Sequence, residues 1–109
     1  MLKPENDKAH YNLGNLYLKE KKYNGAINEY KTAIKYKKDF PYYYYNMGCA
    51  YLELKNYKEA VNAFNKAIKL KQEPDFCYNL AFAYKNLGKD KEKSEALELY
   101  YTLKKESVK

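Results

Sequence analysis

The sequence predicts an all-α fold, a solenoid of helical hairpins with about six helices in 109 residues. Three observations carry this reading. The segment YNMGCAYLELKNYKEAVNAFNKAIKL, Tyr45 to Leu70, matches Tyr11 to Tyr36, thirty-four residues earlier, at twelve of twenty-six positions without a gap. Thirty-three residues after Tyr45, Tyr78 opens YNLAFAY, the start of the same pattern. Within each copy the apolar residues recur three and four apart, the period of a helix. Stacked hairpins of this kind share one core and usually offer an extended surface instead of a catalytic pocket.

Taken in order, Met1 to Asn6 reads as a polar lead, and the first helix begins by about Asp7, with Glu5 and Asp7 complementing its N-terminus. Leu13, Gly14 and Tyr17 lie on one face of it, and Glu20 to Lys22 end the apolar pattern. The second helix carries a stripe of Tyr23, Ala26, Ile27, Tyr30, Ala33 and Ile34. Asn24-Gly25 would suggest a hairpin turn elsewhere, but the flanking period of 3.6 makes it helical. Phe40 precedes a proline and is pushed out of the α region, while Pro41 suits a first turn, so a third helix runs from Tyr42 to Leu54. The fourth places Tyr57, Ala60, Val61, Phe64, Ala67 and Ile68 inward. Pro74 opens a fifth with Leu80, Ala81 and Tyr84 on the inner face, and Gly88 closes it. Asp90 to Glu95 reads as a connection about three residues longer than the others, before a last helix with Ala96, Leu97, Tyr100 and Leu103.

Composition narrows the function. All 21 basic residues are Lys, and the net charge of +7 would favour acidic partners through salt-sensitive attraction. Richness in Lys, Asn, Tyr and Ile with no Arg or Trp looks more like the product of an AT-rich gene than selection for polyanions, and lack of Arg removes the side chain best suited to bidentate phosphate recognition. Cys49 and Cys77 have neither metal-ligand nor disulfide spacing, which with no signal-peptide pattern and no long apolar run leads to the expectation of a cytoplasmic protein. His10, the single histidine, has no positioned nucleophile or carboxylate beside it in the pattern, and the glycines form no phosphate-cradling loop. No enzyme activity, cofactor or metal is expected.

These residues resemble the tetratricopeptide repeat (TPR). Unit one offers Leu13, Gly14, Tyr17, Ala26, Tyr30 and Ala33; unit two Tyr44, Met47, Gly48, Tyr51, Ala60, Phe64 and Ala67. Unit three is degenerate, with Leu80, Ala81 and Tyr84, then Ala96, Tyr100 and Leu103 after the longer connection. His10 and Cys77 replace the leading aromatic, and Lys38 and Gln72 the proline between repeats. The resemblance implies a right-handed α-solenoid, with repeats of about 7–40, 41–73 and 74–105 and a tail at 106–109.

It also implies a concave groove. In the third helix Tyr42, Tyr45, Cys49 and Leu52 form a second apolar line, and with Tyr11, Asn15, Asn46, Tyr78, Asn79 and Phe82 they make up the expected ligand-binding face. Tyr45 is expected to be its central anchor, so that its removal would spare the fold and cost binding, whereas Gly48→Leu would overpack a close helix contact. Some relatives hold C-terminal carboxylates in a clamp of Lys and Asn. Here Asn15 and Asn46 match it, but the cationic places hold Tyr11, Asp75 and Asn79. The expected function is a non-catalytic scaffold binding a peptide segment of a partner protein; the alternative is a Lys-rich binder of nucleic acid or another polyanion. The last helix has no following helix to cover it, so that hairpin is expected to fray first or to meet a second chain, giving a homo-oligomer.

Overall fold

A computed structural model describes residues 6–107. They form six helices, α1 (Asp7–Lys19), α2 (Tyr23–Tyr36), α3 (Pro41–Glu53), α4 (Tyr57–Leu70), α5 (Pro74–Asn86) and α6 (Asp90–Ser107), and among the described residues there is no strand. The starts follow from local chemistry. Asn6 caps α1 by accepting from the Ala9 amide at 3.0 Å. Phe40 and Glu73 are extended, and each is followed by a proline that needs no amide partner in the first turn of α3 and α5.

Each hairpin closes with a residue in the left-handed region: Lys21 at φ 63°, Lys55 at φ 60° and Gly88 at φ 71°. These sit thirty-four and thirty-three residues apart, and three residues separate the helices of every hairpin. The longer connection expected after Gly88 is therefore absent. Asp90 to Glu95 is the first part of an 18-residue α6. Its charges are compatible with a helix, since acidic side chains at Asp90 and Glu92 favour an N-terminus. Without the insertion, Lys93 stands where the earlier units have Ala26 and Ala60, Leu97 where they have Tyr30 and Phe64, and Tyr100 where they have Ala33 and Ala67.

The core runs along the stack. α1 packs on α2, α3 on α4 and α5 on α6; α2 meets α3 and α4 meets α5 between units; and α1 touches α3 as α3 touches α5. Ala26, Tyr30, Ala33, Ala50, Ala60, Phe64, Ala67, Cys77 and Ala83 are fully enclosed. Small residues make the close approaches, and Gly14 and Gly48 lie directly against the Tyr30 and Phe64 rings. The outward lysines Lys31, Lys35, Lys66 and Lys69 are exposed. The array measures 44 × 32 × 21 Å. Among the described residues no helix is long and apolar enough to cross a membrane.

Candidate functional site

The first helix of each hairpin (α1, α3 and α5) carries the residues expected to bind, and the structure sorts them into three groups. The first joins units one and two. The Asn46 amide of α3 donates to the Tyr11 hydroxyl at 3.0 Å and to the Asn15 side-chain oxygen at 2.9 Å, and the same oxygen accepts from the Tyr30 hydroxyl. The Tyr11 ring lies 4.9 Å from Tyr43 and 6.0 Å from Phe40. Asn15 and Asn46, both half-buried, thus satisfy one another.

The second group repeats this one unit on. The Asn79 amide donates to the Tyr45 hydroxyl at 2.7 Å. The half-buried Tyr45 ring sits 4.6 Å from Phe76 and 5.7 Å from Phe64, packed against α4 and α5. Tyr45 is thus a joint between units, and the expectation that its removal would spare the fold gives way to that packing. Cys49 lies half-buried beside it, and burial pushes its thiol up to about 11, which keeps it protonated and unreactive at neutral pH. Tyr42 stands apart, 5.5 Å from both Phe40 and Phe76, with its hydroxyl donating to the Glu73 carboxylate. That bond, ahead of burial, raises the phenol to about 12.

Tyr78 and Phe82 form the third group. They occupy the same helical places as Tyr45 and Cys49, yet they are 55% and 46% exposed. They form a ridge between two clefts. One is walled by Leu52, Glu53, Lys55 and Tyr57 from unit two, the other by Ala81, Lys85, Lys93 and Leu97 within unit three. Glu53, Lys55, Tyr57 and Lys93 did not emerge as candidates from sequence. Tyr57 and Lys93 lie at places that read as inner stripe or connection, and only the gapless register of unit three puts Lys93 beside Phe82.

His10 lies outside these groups, with Nδ1 2.7 Å from the Glu29 carboxylate, linking α1 to α2. Among the described residues no cluster of His, Cys, Asp and Glu has the arrangement of a metal site.

Comparison with protein families matches a TPR repeat over residues 14–55 and a tetratricopeptide repeat over both 41–74 and 74–107. The chain is a TPR protein of three repeats. The third match spans the α5–α6 hairpin whole, in keeping with its gapless register. Among solved structures, the TPR array superposes on MamA with a TM-score of 0.90 and 26% identity over 93% of its own length. It spans about 60% of the length of that chain. The second TPR of Spaghetti (RPAP3), solved with the HSP90 peptide SRMEEVD, is 27% identical with a TM-score of 0.86, covering 92% of this chain and 94% of that one. The first TPR of the same protein shares the fold at 24% identity and a TM-score of 0.86, over 94% of this chain and 82% of that one. Comparison with curated proteins gives no match.

Proposed function

We propose that this TPR array is a non-catalytic docking module that binds a peptide segment of a partner protein on its concave face, with Phe82 and Tyr78 as the anchoring side chains. The observation that supports it most is the exposed aromatic ridge they make between two clefts. Exposed aromatics over a rigid scaffold are the usual source of binding energy at protein interfaces. A TPR similar to this array binds an HSP90 peptide, which supports a peptide as the ligand class.

The segment bound here differs from that acidic peptide. At the places of a carboxylate clamp this chain has Tyr11, Asn15, Asn46, Asp75 and Asn79, and the side chains of Tyr11, Asn15, Asn46 and Asn79 are hydrogen-bonded within the array. Exposed Asp75, at one of the clamp's cationic places, carries a negative charge instead, and Glu53 adds another in the cleft beside Tyr78. A segment with an apolar or aromatic anchor and a neutral or basic flank fits better than a terminal carboxylate. Binding of nucleic acid rests on net charge alone, with the lysines of α2 and α4 dispersed along the outer face. The cysteines Cys49 and Cys77, both unpaired, fit a reducing cytoplasm.

The test is capture of partners from the native cell with the wild-type array and with Phe82→Ala. Loss of the captured protein at unchanged melting temperature supports the reading, and undiminished capture refutes it. A bound species that is nucleic acid, released by moderate salt, would establish the polyanion alternative instead.

A further inference from the structure

The two ends of the array are complementary to each other. Between units the structure shows the same junction twice. An Asn on the arriving helix bonds a Tyr on the helix before it: Asn46 to Tyr11, then Asn79 to Tyr45. At the last unit Tyr78 is the matching Tyr, and among the described residues its hydroxyl has no partner; at the first unit Asn12 is the matching Asn, exposed and equally without one.

The apolar contacts repeat this relation with sizes exchanged. At the junction of units two and three, buried Val61 of α4 and Ala83 of α5 belong to one cluster, and Ala67 of α4 and Phe76 of α5 to another. The places of Val61 and Ala67 on α6 hold Ser94 and Tyr100, and the places of Ala83 and Phe76 on α1 hold Leu16 and Ala9. Large-with-small has become small-with-large in the first pair and the reverse in the second, so the summed volume of each pair is roughly kept. Leu16 is 50% exposed where Ala50 and Ala83 are fully enclosed, and Tyr101, next to Tyr100, is 64% exposed.

We propose that a second copy of this chain is the occupant of the open end: α1 of one copy stacks on α5 and α6 of another, its Asn12 bonding the other's Tyr78, and continues the solenoid. Such a contact joins two different surfaces, so it is heterologous and leaves a free end on each side for further copies. The junction goes beyond the peptide-binding reading but shares Tyr78 with it, so a stacked copy and a peptide compete for that ring, and the test uses residues outside both clefts.

The experiment uses two variants at exposed places, Leu16→Lys, which blocks the α1 end, and Ser94→Lys, which blocks the α6 end. Sedimentation equilibrium of the wild type should give an average mass that climbs with concentration without levelling at a dimer. Each variant alone should stay monomeric over the same range with an unchanged circular-dichroism melt, and an equimolar mixture should form a one-to-one heterodimer and nothing larger, because one free end of each kind remains. A wild type that is monomeric throughout, a wild type that levels at a dimer, variants that assemble like the wild type, or a mixture that stays monomeric would each overturn the proposal.

Discussion

A methyl group added at Gly48 would lie 2.6 Å from the Phe64 ring, and one at Gly14 would lie 2.7 Å from Tyr30. Phe64 is fully enclosed, so its ring has nowhere to retreat. Gly48→Ala should therefore destabilise the array by about 1–3 kcal/mol, read as a shift in denaturant midpoint. The third unit shows the compensated form of this contact, Ala81 with Leu97. Adding Phe64→Leu to Gly48→Ala should consequently recover part of the loss, and the double-mutant cycle should give a clear coupling energy. At the neighbouring joint, Tyr45→Ala should cost about 3 kcal/mol, as truncation of a packed aromatic does. Tyr45→Phe removes only the bond from Asn79 and should cost about 1 kcal/mol. A Tyr45→Ala chain that melts like the wild type would contradict the packing between α4 and α5.

Among the helices, the turns and the last hairpin are where stability is unevenly distributed. Lys21 and Lys55 hold the left-handed conformation that glycine occupies at Gly88, which costs a side-chain-bearing residue about 1 kcal/mol or more. Lys55→Gly should raise the melting temperature, while Gly88→Val should lower it by strain alone, since no atom lies within contact of that site. α6 has Ala96 as its one residue in the buried core, against five in α4. In dilute protein its amides should exchange with solvent well before those of α4. Equal protection of the two helices in a proven monomer would refute this.

For the molecule as a whole, tyrosine dominates the response to alkali. Besides Tyr42 at about 12, burial pushes the phenols of Tyr30, Tyr43 and Tyr45 upward from their ordinary 10. A raised pKa in the folded state means that the contribution is fully present below the unfolded value. As pH rises from 10 towards 12 the unfolded chain releases these protons while the folded chain retains them, so stability falls across that window. Urea midpoints should drop steeply there, and phenolate absorbance should appear together with unfolding. Ionisation of all tyrosines near pH 10 in a chain that stays folded would contradict the burial of these hydroxyls.

What the sequence determined by itself was the repeat, the helices and their inner stripes. The period of thirty-four, the prolines at 41 and 74 and the spacing of residues such as Ala60 and Phe64 are local or periodic properties of the chain. The register of the last hairpin was not legible, because Lys93 stands where alanine marks the earlier units and Ala96 offers a false alignment. Only the fold, through the left-handed turn at Gly88 and a helix that starts at Asp90, decided it. The candidate site was legible as a line of residues but not as a surface. Tyr11, Tyr45 and Tyr78 are equivalent along the chain, yet a following unit covers the first two and leaves the third exposed. Exposure is set by what stacks on a residue, and in a solenoid that neighbour comes from the next turn of the array, about one repeat away in sequence.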